Sequence, residues 1–156
     1  MKIKIQHLLC LIALAGTLFA CQPSSDSDKA AMMAAQRWSE AYFCYDFHEA
    51  EKYVTPESRK WLQFAATNAT QDDINLINEK RPQVEAENVT RLYGEETCDT
   101  LCIVKLRVKD YVKPALLGHS STRADEGIFS ITLVLVQDQW MVRMEGLPRN
   151  ERQNHD

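Results

Sequence analysis

The chain carries two hydrophobic rhythms, one in each half. Between residues 29 and 45 there is no Gly or Pro, and Ala31, Ala35, Trp38, Tyr42 and Tyr45 recur at three- and four-residue spacing. That spacing places them on one face of an amphipathic helix. Asp46, with Glu49 three positions on, has the residue types of a capping box and predicts a short second helix ending near Val54. Thr55-Pro56-Glu57 predicts a restart, with Thr as cap and Pro in the first turn, that carries Trp61, Leu62 and Ala65 inward. A last short helix is expected over 70–78, and Arg81-Pro82 closes the helical half.

Beyond Pro82 the period falls to two. Val104, Leu106 and Val108 alternate with Lys105, Arg107 and Lys109, which predicts a strand over 102–110 with one buried and one wet face. Residues 128–136 are apolar or β-branched apart from Ser130 and predict a more deeply buried strand. Gln137-Asp138-Gln139 joins it to 140–144 as a hairpin, and 83–93 supplies a fourth, weaker strand. Helices first and mainly antiparallel strands afterwards predict an α+β domain with the N-terminal helices packed on one face of the sheet.

The first twenty residues stand apart from this domain. Lys2 and Lys4, an apolar run over 8–19 and the small Ala20 have the three zones of an export signal. The run is shorter than the roughly 20 apolar residues a spanning helix needs, so an anchor is expected rather than a transmembrane segment. Leu18-Phe19-Ala20-Cys21 resembles the lipobox of bacterial lipoproteins, with Phe19 departing from the small or β-branched residue usual there. A rival cut after Ala20 by the ordinary signal peptidase would require a small residue at position 18, where this chain has Leu. The resemblance implies a signal peptide over 1–20, a lipid on Cys21, and attachment of the mature chain to the membrane of the cell envelope. Gln22 after the Cys implies sorting to the outer membrane. Residues 21–28 are rich in loop formers and predict a flexible tether, 29–148 one domain, and 149–156 a polar tail.

Charge narrows the partners. The whole chain of 156 residues has a formal net charge of −4, and losing the two lysines of the leader takes it to −6, which disfavours nucleic acid. The basic strip Lys105, Arg107, Lys109 reads as a solvated strand face rather than a recognition surface.

Trp38-Ser39-Glu40-Ala41-Tyr42, Asp46-Phe47-His48-Glu49-Ala50 and Val54-Thr55-Pro56-Glu57-Ser58, with the order of elements, resemble the nuclear transport factor 2-like superfamily, and in particular its small bacterial lipoproteins of unknown function. The resemblance covers nearly all of 29–147 and implies a curved, cone-like sheet wrapped around the helices. That superfamily hosts isomerases, dehydratases, carriers and interaction scaffolds. Its enzymes hold an acid or base in the mouth of the cone, which makes Asp46, His48 and Tyr42, with Tyr45 beside them, the candidate catalytic residues. Capping explains Asp46 equally well, and helix packing explains the tyrosines. A non-catalytic domain is therefore expected to bind a small apolar ligand or an envelope protein. Trp38, Trp61 and Phe64 are the candidate pocket residues; an isomerase or dehydratase is the alternative.

In an oxidising compartment Cys44, Cys98 and Cys102 are an odd set. Cys98 and Cys102 could close a disulfide across a tight turn, and Cys44 is the alternative partner for either. The same cysteines with His48 make a formal zinc set, but export favours oxidation over thiolate ligation, so no metal or other cofactor is expected.

Overall fold

A computed structural model describes residues 26–92, 100–113 and 120–151. Helix α1 spans Asp26–Phe43, with Asp26 and Asp28 in its first turn, where carboxylates favour the helix dipole. Ala31, Ala35 and Trp38 are fully buried along one face. The helix therefore starts inside the stretch expected to be tether, and it ends two residues before Tyr45. Tyr45 has φ 60°, its N–H donates to the Tyr42 carbonyl (3.0 Å), and the Asp46 N–H reaches back to Ala41 (2.9 Å). This is a Schellman ending with a tyrosine where glycine is usual.

Asp46 then caps α2 (Phe47–Ala50), accepting from the Glu49 N–H at 3.0 Å. The capping box is half made, because the Glu49 carboxylate turns to Lys52 and Tyr53 instead. Two 3-10 turns, Glu51–Tyr53 and Pro56–Ser58, lead into α3 (Arg59–Asn68). Thr55 does not cap this restart; its hydroxyl meets that of Ser58 at 2.8 Å, both buried. Helix α4 (Gln71–Glu79) carries a complete capping box between Thr70 and the buried Asp73.

Strands β1 (Gln83–Arg91), β2 (Leu101–Lys113), β3 (Thr122–Val136) and β4 (Gln139–Val142) form one antiparallel sheet in the order β1-β2-β3-β4. The fold class is α+β, helices followed by a curved antiparallel sheet. Curvature is visible in one contact: Arg91 on β1 lies 4.9 Å from the ring of Trp140 on β4, although these strands occupy opposite edges. The inward row Cys102, Val104, Leu106, Val108 is fully buried, as the alternation predicts. At Asp110, φ 56°, the row changes phase, and Tyr111 points inward in place of Asp110. Aspartate tolerates the left-handed region better than most side chains.

Helices and sheet are stapled by polar groups. Arg123 on β3 donates to the carbonyls of Lys80 (2.8 Å), Asp110 (2.7 Å) and Leu76, tying the C-terminal end of α4 to β2. Ser58 Oγ accepts from the Met144 N–H at 2.8 Å, and Val54 bridges Val142 in parallel. The start of the expected tail is docked: Asn150 is buried, accepting from the Ile128 N–H and donating to Tyr111 Oη, both at 3.2 Å. Glu151 meets Ser130 and Lys105.

Candidate functional site

An apolar cavity of about 120 Å³ lies where the end of α1 meets the bent ends of β2 and β3. Aromatic side chains from three segments wall it. Tyr42 and Phe43 come from the last turn of α1, Tyr45 and Phe47 from the Schellman ending and α2, and Tyr111 and Phe129 from the sheet. Ala65, Asn68 and Ala69 at the end of α3 and Leu147-Pro148 close the sides. The rings support one another: Phe43 lies 4.8 Å from Phe129, Phe129 5.3 Å from Tyr111, and Tyr42 stacks on Trp38 at 4.9 Å. Offset and edge-on contacts of this kind fix ring orientation.

Burial raises the phenol of Tyr42 above its ordinary value, and burial, the charge of Asp73 and Tyr42 do the same at Tyr45. Both hydroxyls stay protonated at neutral pH. They can donate a hydrogen bond, but neither is poised to remove a proton. The volume is comparable to the roughly 150 Å³ cavity known to take one benzene ring.

A second recess, about 980 Å³ and wide open, runs between α1 and the start of β1. Arg37, Glu40, Cys44, Asp46, Glu49 and Arg81 line it. Burial pushes the Cys44 thiol up, Arg81 partly opposes this, and Glu40 and Asp46 add to it. A thiol so placed is a poor nucleophile and a poor metal ligand at neutral pH.

The candidate catalytic residues converge only in pairs, Tyr42 with Tyr45 at the aromatic cavity and Tyr45 with Asp46 at the open recess. Tyr42 faces the aromatic cavity, Asp46 is exposed and lines the open recess, and His48 is exposed and borders neither. The expected pocket residues are dispersed as well: Trp38 is fully buried core, Trp61 borders a groove beside Pro56 and Val136, and Phe64 is 52% exposed. Of the three residues that helical spacing carries inward, Leu62 and Ala65 are buried on α3 and Trp61 is partly buried against the core.

Cys44 and Cys102 are free thiols. Cys44 lies just past the end of α1, whereas Cys102 sits beneath Arg91 and Asp28 near its start, so the two are too far apart to pair. The same separation splits the formal zinc set, and among the described residues no group of three His, Cys, Asp or Glu could hold a metal. Cys98 and Cys21 lie outside the described residues. The expected Cys98–Cys102 pairing therefore involves a residue outside the described ones; the side chain of Cys102 faces the core from within β2. The basic strip is neutralised locally, Arg107 by Glu87 and Glu126, and Lys105 by Glu151. Among the described residues no helix is long and apolar enough to cross a membrane.

No family model matches the chain, and no curated protein matches it. Its fold is similar to a solved structure described as an NTF2-like protein of unknown function from Shewanella oneidensis MR-1. The two are 10% identical over 73% of this chain and 92% of that one, with a TM-score of 0.47. It is also similar to an NTF2-like protein involved in plasmid conjugation, at 14% identity and a TM-score of 0.33 over 78% of this chain. This chain spans 48% of that protein.

Of the cavity walls, the sequence singles out Tyr42, Tyr45 and Ala65. The signal for the rest was present: Tyr42, Phe43, Tyr45 and Phe47 are four aromatics within six residues.

Proposed function

We propose that the chain is a small NTF2-like lipoprotein of the bacterial envelope, held at the outer membrane by a lipid on Cys21, with a non-catalytic domain that binds one apolar group in the aromatic cavity. The carrying observation is the wall of that cavity: six aromatic rings, with Tyr42 and Tyr45 held in their neutral form. A site with this lining rewards burial of apolar surface and offers hydroxyls for orientation. Its size suits a single ring or short branched chain, either a small ligand or one side chain of an envelope protein. The isomerase or dehydratase alternative has less support, because Asp46 and Tyr42 open into different recesses.

Phenol and toluene are suitable probes. In titrations of the protein followed by NMR, shifts should concentrate at the rings of Tyr42, Phe47 and Tyr111. Ala69→Leu, which fills the cavity from its rim, should abolish them without loss of folding. Shifts that survive Ala69→Leu unchanged, or that gather elsewhere, would refute this reading.

A further inference from the structure

The two ends of the domain are built differently. At one end Arg91 Nε and Nη2 hold the Asp28 carboxylate at 2.7 and 2.6 Å, and the guanidinium lies over Trp140. This clasp pins the start of α1 to both edges of the sheet. The β3–β4 turn at Gln137 and Asp138 lies at the same end. Tyr42 of the aromatic cavity is fourteen residues farther along α1 than Asp28, about 21 Å at 1.5 Å per residue.

Cys21 precedes Asp26 by five residues, so the link between a lipid on Cys21 and α1 spans at most about 18 Å. The clasp end is therefore the end held near the bilayer. Among the described residues, two of the three exposed large hydrophobic side chains lie there: Met33, 55% exposed, and Val136, 43% exposed. Met33 shares a shallow recess with Asp138, Trp140 and Met141. Among the described residues at this end, Lys29 pairs with Asp26 and Arg91 with Asp28, and Asp138 adds a negative charge at the turn, so charge does not draw this end to an anionic surface.

We propose that the clasp end rests on the bilayer that carries the lipid, with Met33 and Val136 against the interface, and that the aromatic cavity is thereby turned to the aqueous side. Its apolar group then comes from a water-borne molecule, not from an acyl chain of the same bilayer. This rests on the reading of Cys21 as the lipidated residue. The short link limits how far the domain can lift, and the exposed apolar side chains disfavour rolling onto the cavity end.

The test uses the full lipidated chain in phosphatidylethanolamine–phosphatidylglycerol vesicles that carry a lipid-borne quencher. A genetically encoded fluorescent amino acid is placed at Gln139, beside the turn, or at Gln71, two residues beyond Ala69 of the cavity wall. Several-fold stronger quenching at 139 than at 71, little changed by added salt, is the expected result. Equal quenching, stronger quenching at 71, or none at either position overturns the orientation. Met33→Glu with Val136→Glu should lower quenching at 139 at unchanged circular dichroism; no change would overturn the apolar contact. Intact mass separates the two levels: absence of lipid on Cys21 overturns the envelope reading and the orientation with it. Lipid present with the quenching order reversed overturns the orientation alone.

Discussion

Gly127 is the position at which one added methyl group reports most directly on how the cavity is held. It sits on the inward side of β3, and a Cβ there would stand 2.9 Å from a ring carbon of Phe129, 2.9 Å from a ring carbon of Tyr111 and 3.0 Å from Asn150 Nδ2. Two of these neighbours are buried rings that wall the cavity, and the third is the buried amide that bonds Tyr111. None is the free end of a flexible side chain. Overpacking of this kind destabilises by about 1–3 kcal/mol, so Gly127→Ala should lower the urea midpoint and reduce Tm by several degrees. Asn150→Ala removes the acceptor for the Ile128 N–H and the donor to Tyr111, at a cost of about 1–3 kcal/mol. The double variant should lose at least about 0.5 kcal/mol less than the sum, because the vacated space takes the methyl group. Phenol binding should weaken with Gly127→Ala. Additivity of the two changes within about 0.3 kcal/mol, or no loss with Gly127→Ala alone, would refute this account of the packing.

Three further outcomes follow from the same geometry. Arg91→Met breaks the clasp and leaves Asp28 part-buried without its guanidinium, so unfolding should become easier by about 1–2 kcal/mol while phenol binding at the other end is unchanged. Ser58→Ala removes the acceptor of the buried Met144 N–H and the partner of Thr55, and should cost about 1–3 kcal/mol by urea unfolding. Burial pushes the Cys102 thiol up to about 11 from an ordinary 9, with Arg91 partly opposing and Asp28 reinforcing the shift. The folded state thus holds this proton more tightly than the unfolded chain, so the stability it contributes is complete below pH 9 and is lost as pH rises from 9 to 11. Cys44 and the two raised tyrosines add losses of the same sign in the alkaline range. Cys102→Ala should therefore flatten, without abolishing, the fall in stability between pH 9 and 11. An unchanged slope would show that the thiol is not desolvated.

The elements that periodicity described well are those in which one face is buried from end to end. Ala31, Ala35 and Trp38 on α1 and the row from Cys102 to Val108 on β2 fall where spacing placed them, because a helix or strand with one dry face must repeat at its own period. The reading failed where the chain changes phase. Strand β2 was expected to stop at Asp110, since alternation breaks there, yet pairing continues to Lys113 through a left-handed residue. Strand β3 was expected from 128, but it begins at Thr122, and its early part, Asp125-Glu126-Gly127, has no apolar rhythm. Arg91 and Trp140, at opposite edges of the sheet, meet only because the sheet curls. Nothing local to either residue encodes that contact.

The misread positions are not scattered. Tyr45 and Asp110 are non-glycine residues held at positive φ, Gly127 is a residue without a side chain in a buried strand, and Asn150 is a buried amide in what reads as a polar tail. Each breaks a local preference that costs on the order of 1 kcal/mol to override. Tyr45 lines the cavity, and the other three act on its wall residues: the phase change at Asp110 turns Tyr111 inward, Gly127 makes room for Phe129 and Tyr111, and Asn150 bonds the Tyr111 hydroxyl. Residues that contradict local rules persist where the surrounding structure over-determines them, and such residues concentrate at working sites. At the clasp end Asp28, Arg91 and Trp140 obey their local preferences, but Gln137 and Asp138 in the β3–β4 turn are likewise non-glycine residues at positive φ. Positive φ thus occurs at both ends, and Tyr45 lines the open recess beside Cys44 as well as the aromatic cavity; what is particular to the cavity is that the buried Gly127 and Asn150 are both packed on its wall residues Tyr111 and Phe129.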